Sequence, residues 1–369
     1  MAKQPLDWIT VRGFKSISAI ERLELRPINI LIGPNGSGKS NFIAVFEFLH
    51  AIRSGRLRVT VTQAGGADSI LHYGSKTTSE ISFELSFEKG NNSYQLKLRP
   101  TADDGLYPYG EAALFKDGSH FTHLEPRENG REAGISDSGL TSYSIPGYVK
   151  RYLGSWRVYH VHDTSASSPM RSTAQLDDNR FLRANGSNLA AFLYLLQEKH
   201  ADEYSTIVGA IRQVAPFLDD FVLEPLELRP DTIKLEWRHT NSDQYFAASS
   251  LSDGTLRFIV LATLLLQPAK YRPSVILIDE PELGLHPSAI ELLSALIRHV
   301  STETQVIIST QSSVLIDHFE PEDVLVADRR DGGTRLRRLD SSSLKSWLED
   351  YSLGQLWEKG ELGGRPTPE

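Results

Sequence analysis

The chain has 369 residues, 40% hydrophobic and 23% charged, enough to bury a large core and incompatible with wholesale disorder. A formal net charge of −8 excludes a uniformly basic nucleic-acid binder and leaves only local basic patches. No cysteine is present, so disulfides, zinc fingers and thiol nucleophiles are excluded. The opening MAKQPLDWITVRGF has no leader pattern, and the longest apolar run, Phe258 to Leu266, is only nine residues. The expectation is a soluble cytoplasmic protein of about two domains, or one carrying insertions, with no membrane partner.

In chain order, Trp8 to Val11 reads as a strand and Leu23 to Ile32 as one or two more. Gly33 to Gly38 interrupts. Phe42, Val45, Phe46 and Leu49 then carry helical spacing from Lys39 to Leu49. Strand, glycine-rich turn and helix in that order mark an α/β nucleotide fold. Glu80 to Arg99 reads as a hairpin around Lys89-Gly-Asn-Asn92, and Gly105 to Pro146 as loops and short edge strands. Trp156 to His162 predicts a strand. Ser187 is read as the cap of a helix from Asn188 to His200; a second helix follows over 202–214, stopped by Pro216. Thr232 to His239 predicts one strand. The last third alternates: helix from Ser252, strand Val275 to Ile278, helix from Pro287, strand Val306 to Ser309, helix from Ser312. There are no sustained heptads and no internal repeat.

Gly33-Pro34-Asn35-Gly36-Ser37-Gly38-Lys39-Ser40 satisfies the P-loop spacing, with Asn41 following. Glycines let successive N–H groups turn inward around phosphates, and the next helix adds its positive end. Lys39 is expected to reach the β- and γ-phosphates of ATP, and the Ser40 hydroxyl to ligate Mg²⁺.

Val275-Ile-Leu-Ile-Asp279-Glu280 delivers two acids at the end of an apolar strand, where open α/β sheets bind ligands. Asp279 is expected to hold Mg²⁺, and Glu280 to polarise the attacking water as the catalytic base. Lys39 and Asp279 are 240 residues apart, so a substantial insertion interrupts the nucleotide fold.

Leu251-Ser252-Asp253-Gly254-Thr255 lies between these motifs and opens an apolar helix. It resembles the signature of the ATP-binding-cassette (ABC) ATPases, with Asp253 where a glycine usually stands; alone it is also an ordinary helix cap. Together with VRGFKSI, GPNGSGKSN, LSDGTLR and DEPELGLHP, it makes the chain resemble the RecF/SMC-like branch of the ABC ATPases. The particular likeness is to bacterial ATPases related to the OLD-family ATPase domain. WRVYHVHDTS, ANGSNLAAFLYLL and YSLGQLWEKGELGGRP extend it over essentially the whole chain. Gly284-Leu285-His286-Pro287 is the D-loop variant of this branch.

The resemblance implies an ABC-type P-loop head, a mixed sheet with flanking helices, carrying a β-rich and helical insertion between P-loop and signature. The corresponding divisions are an ATPase lobe over 1–100, the insertion over 101–245, a second ATPase lobe over 246–330 and a tail over 331–369. It also implies a homodimer through composite ATP sites, each closing one P-loop with the partner's Ser252 and Gly254. Lys15 and Ser16 would line the nucleotide. Gln63 would be the Q-loop glutamine at the metal, or else an exposed loop glutamine. Gln311 stands where many relatives carry histidine; an amide can position water but carries no charge at pH 7. Too few residues follow Gln311 for an appended Toprim nuclease, so a nuclease in this system would be another chain.

Three constellations keep two readings each. His160, His162 and Asp163 are metal ligands or polar contacts near the nucleotide. Arg329, Arg330, Arg335, Arg337 and Arg338 flank an Asp331-Gly-Gly turn, either as a DNA phosphate contact or as solvated surface. Trp347, Leu348, Leu353, Leu356 and Trp357 pack on the head or dock a partner. The leading expectation is an ATP-hydrolysing dimerising switch controlling DNA binding or an effector, in bacterial defence or genome maintenance. Its rivals are an ATP-gated scaffold with little hydrolysis and a transporter ATPase subunit; the D-loop and insertion oppose the latter.

Overall fold

The computed structural model describes residues 6–363 apart from residue 117. The first five residues of the leader reading and the last six of the tail lie outside the described residues.

The chain opens with an antiparallel pair, β1 (Trp8–Phe14) and β2 (Ile17–Glu24), and enters β3 (Ile28–Ile32), buried at all five positions. Helix α1 (Lys39–Arg53) starts from Gly38, whose φ of 101° only glycine adopts at low cost. No side chain caps it, so the first-turn N–H groups remain open to a ligand. After α2 (Leu57–Gln63) come β4 (Ile81–Phe87), β5 (Asn92–Pro100), β6 (Leu106–Phe115) and β7 (His120–His123). With β1 and β2 they form an antiparallel sheet ordered β2-β1-β4-β5-β6-β7. In β5, buried Asn92, Tyr94, Leu96 and Leu98 alternate with less buried residues, the period of a half-buried strand.

The stretch 105–146 is therefore not only loops and short edges. It contains the ten-residue β6, paired along β5 across residue 100, where the expected first division ends. Its alternation is hidden because Pro108 and Glu111 fill inward positions. Buried Glu111 accepts hydrogen bonds from the Tyr94 hydroxyl (2.8 Å) and the Gly134 and Ile135 amides (2.7 and 2.9 Å).

Helix α3 (Ile145–Gly154) leads into β8 (Trp156–Tyr159), and β9 (Ala174–Gln175) precedes α4 (Leu189–Lys199) and α5 (Ala201–Val214). The α4 cap position is Asn188, not Ser187; the buried Asn188 amide instead ties the preceding loop, bonding Asp178, Phe181 and Arg183. Next come β10 (Leu218–Val222), β11 (Pro225–Leu226), β12 (Arg229–Ile233), β13 (Glu236–His239) and β14 (Tyr245–Ala247). They form two small sheets, β10-β13-β14 and β11-β12-β9. The single strand expected over 232–239 is thus two, because the chain changes partners at Leu235, whose carbonyl accepts from Ala248.

The rest is α6 (Asp253–Leu266), β15 (Val275–Asp279), α7 (Pro287–Ser301), β16 (Gln305–Thr310), α8 (Ser313–Ile316), β17 (Val324–Arg330), β18 (Gly333–Arg338), α9 (Ser341–Leu348) and α10 (Leu353–Lys359). The second large sheet runs β18-β17-β3-β16-β15-β8, parallel except for β18. Its interior strands are continuous apolar runs because helices cover them, as in other parallel sheets. Pairings Thr310 with Ile32, Asp279 with Ser309 and Ile278 with Tyr159 bring four strands to one carboxyl edge. This is the expected mixed sheet with flanking helices.

In the tail, α10 packs on the head, whereas α9 buries no residue and Trp347 stays 43% exposed. Leu353, Leu356 and Leu362 are buried, the Gly354 amide donates to Asp317 (2.6 Å), and Ser313 donates to Glu358 (2.6 Å).

Candidate functional site

The P-loop joins β3 to α1 at that edge. Gly36 has φ +80° and open space where a side chain would stand; Gly38 lies so close to Thr334 that a Cβ would collide with its hydroxyl. Lys39 is buried, and its ammonium donates to the carbonyls of Gly33 (2.6 Å) and Pro34 (3.1 Å). Burial lowers its pKa, while Glu280, Asp279 and Glu282 pull it upward. Three carboxylates from the end of β15 thus act on the one P-loop ammonium. Ser40 is exposed at the start of α1 and Asn41 bonds Ser16 (2.7 Å), which in turn bonds Thr334 (2.7 Å). Thr334 also donates to the Ser37 carbonyl (3.0 Å), so the β17–β18 hairpin braces the loop. Ser37 Oγ is buried without a partner among the described residues.

On β15, Asp279 accepts from the Ser309 hydroxyl and lies 3.7 Å from His162 Nε2. Burial alone would raise this carboxyl, but the neighbouring His162 and the Ser309 hydrogen bond hold it below its ordinary value. Glu280 has φ +43°, a strained conformation for a non-glycine residue, and its amide bonds the Ser309 carbonyl (2.9 Å). Gln311 donates through Nε2 to Glu280 Oε1 at 2.5 Å. Glu282, which the sequence reading passed over, is buried and accepts from Thr310 (2.5 Å) and the Gln311 amide (3.4 Å). Burial raises its pKa against those bonds, and its Oε2 has no partner among the described residues. Three acids within four residues, Asp279, Glu280 and Glu282, were the signal that could have found it.

The chain leaving β8 carries His160 and His162 to Asp279. His160 is also 2.7 Å from Glu47 of α1, whose hydrogen bond raises the imidazole pKa against burial. Asp163 is not part of this group; it caps its own loop through Ser165.

Other expected residues are placed differently. Ser252 is not left for a partner alone, since its hydroxyl caps α6 by accepting from the Thr255 amide (3.1 Å). Gly254 packs so tightly on the Gly284 carbonyl that a Cβ would lie 2.2 Å from it. The signature is thereby clamped to the D-loop. Lys15 has φ +48° and lies 5.7 Å over the Phe14 ring, and its carbonyl bonds His72 (2.8 Å). Gln63 is the exposed last residue of α2; among the described residues no hydrogen bond joins it to the P-loop or to Asp279.

The β17–β18 turn forms as expected, but its arginines diverge. Arg338 turns inward to Glu322 and Glu24 carbonyls (2.9 and 2.7 Å) and Asn29 Oδ1 (2.7 Å); burial, with Arg26 nearby, pulls it down to about 10. Arg337 holds the Leu362 carbonyl (2.7 Å), Arg335 pairs with Asp331 (2.7 Å), and Arg329 bonds Tyr73 (3.0 Å). Arg338 is thus engaged within the fold, while Arg330, Arg335 and Arg337 stay exposed. Arg338→Ala should lower stability by about 1–3 kcal/mol, because it removes the guanidinium's bonds to the Glu24 and Glu322 carbonyls and to Asn29. Urea denaturation checks this; a loss below about 0.5 kcal/mol would return Arg338 to the surface class.

Residues 28–317 match a family model described as "AAA domain, putative AbiEii toxin, Type IV TA system". The chain belongs to this family. Its members' P-loop ATPase class agrees with the convergence of Lys39 and Asp279. The AAA-domain chain is 22% identical to the Old nuclease of Escherichia phage P2, over 92% of its own length and 61% of that protein. It is 21% identical to the OLD nuclease of Thermus scotoductus, over 94% and 67%. Among solved structures it is similar to an SMC head bound to the C-terminal winged-helix domain of ScpA, with TM-score 0.61, 16% identity and coverage of 93% and 99%. The SMC head domain from Thermotoga maritima aligns with TM-score 0.51 and 14% identity, covering 91% and 100%. The chain has the fold of an SMC head, and it spans about two thirds or less of the OLD nucleases it resembles. No helix among the described residues is long and apolar enough to cross a membrane.

Proposed function

We propose that this chain hydrolyses ATP in a composite site made by two copies, and that the cycle of joining and separation controls DNA binding or an effector. The strand pairing β3-β16-β15, which brings the P-loop and the acids Asp279, Glu280 and Glu282 to one carboxyl edge, carries this reading. The P-loop N–H groups and Lys39 would bind the phosphates, with Ser40 and Asp279, both oxygen donors, holding Mg²⁺. When bound, that ion neutralises charge developing on the phosphates. Glu280 takes the proton of the attacking water, and Gln311, bonded to it, fixes its orientation. Ser252 accepts while capping α6, so its O–H remains a donor, and with the Gly254 amide it would meet the γ-phosphate held by the partner. The family description and both nuclease relatives support bacterial defence as the setting and a nuclease as the effector.

An ATP-gated scaffold with little hydrolysis is the second reading, favoured by an uncharged amide at Gln311. Steady-state turnover with and without DNA separates the two. Gln311→Ala should lower kcat by about 5- to 150-fold, the value of one positioning hydrogen bond of about 1–3 kcal/mol, with ATP affinity nearly intact. Unchanged kcat would remove Gln311 from the mechanism.

A further inference from the structure

The two histidines beside Asp279 are not needed by the P-loop chemistry, and they converge as a ligand set. β8 runs parallel to β15 with Tyr159 opposite Ile278, so the chain leaving β8 passes the end of β15. His160 and His162 flank buried Val161, and their rings lie on one side with centroids 6.2 Å apart. One ligating atom from each of His160, His162 and Asp279 lies within 4.8 Å of the other two. The surroundings hold these groups in place. Glu47 takes a hydrogen bond from His160 Nε2 (2.7 Å), and Ser309 bonds the other Asp279 oxygen. Buried Arg257 donates to the carbonyls of Val161 (2.8 Å) and His162 (3.1 Å), anchoring the backbone that carries both rings.

We propose that His160, His162 and Asp279 bind one first-row transition-metal dication, of the Mn²⁺, Co²⁺ or Zn²⁺ class, in preference to Mg²⁺. Mg²⁺ favours oxygen ligands and keeps much of its water, whereas imidazole suits the transition metals. Two histidines and one carboxylate on one side form a facial set that leaves positions open. Metal–nitrogen and metal–oxygen bonds of about 2.0–2.2 Å need ligating atoms roughly 3–3.5 Å apart. The imidazoles, 43% and 38% exposed, reach that separation by side-chain rotation. Glu47 completes the carboxylate–imidazole–metal arrangement that fixes ring orientation. Asp279 belongs to both this set and the Mg²⁺ set, so the inference adds nitrogen donors to the acid that the ATPase reading already uses. It stands without hydrolysis.

The test titrates the nucleotide-free full chain with Co²⁺, whose visible absorption reports nitrogen ligation. One Co²⁺ per chain should bind with a saturable band that about a 100-fold excess of Mg²⁺ does not displace. His160→Ala and His162→Ala should each weaken binding by at least about 10- to 100-fold, and Glu47→Gln should fall in the same range. Lys39→Ala should lose ATP yet keep Co²⁺, so a failed ATPase reading and a failed metal reading give different results. Circular dichroism confirms that the variants fold. No saturable band in the wild-type chain, displacement by that excess of Mg²⁺ or less, or histidine variants that bind like wild type would each overturn the proposal.

Discussion

Lys39→Ala should weaken ATP binding by about 3 kcal/mol, roughly 150-fold, the value of charge-assisted hydrogen bonds to phosphate. The side chain is buried and is the P-loop ammonium on which Asp279, Glu280 and Glu282 all act. Its loss leaves those carboxylates facing the phosphates of an incoming nucleotide without a counter-charge, and like charges at short range repel. The fold should survive, because β3 and α1 are held by apolar burial and by the Thr334 brace rather than by the ammonium. Calorimetric titration with ATP reads the effect, and unchanged affinity would undo the P-loop assignment.

Glu280→Gln should lower kcat by about 100- to 10,000-fold while leaving ATP affinity close to wild type. The amide keeps the shape and cannot take a proton. The strained φ of +43° and the amide bond to Ser309 persist, so the substitution removes chemistry without moving the chain. Gln311→Ala should cost less, since Gln311 acts through Glu280. Equal losses at saturating ATP would mean that the base is misassigned. Negligible losses in both would favour the scaffold.

Much of this was legible because it is local. The P-loop, the paired acids after Val275–Ile278 and the alternation of the last third lie within short segments whose period or glycine spacing has one structural meaning. What failed was long-range or disguised. β6 carries Pro and Glu at inward positions, so its pattern reads as loop although Tyr94 and two amides satisfy the buried acid. The strand over 232–239 divides because the chain changes partners at Leu235, which no local pattern encodes. The brace from Thr334 to Ser37 joins residues 297 positions apart, and the Glu47–His160 pair 113 apart. The arginine turn shows the opposite error. Its charge was legible, but the inward path of Arg338 follows from β18 packing against β2, with a guanidinium long enough to reach Asn29 of β3 across β17.

ATP should join two copies through their P-loops and signatures, and the solution mass of the Glu280→Gln chain reports it, measured by light scattering with Mg²⁺, first without nucleotide and then with ATP. Adding ATP should shift the mass from monomer to dimer, and Lys39→Ala in the same chain should abolish the shift. A mass that is the same with and without ATP would contradict it.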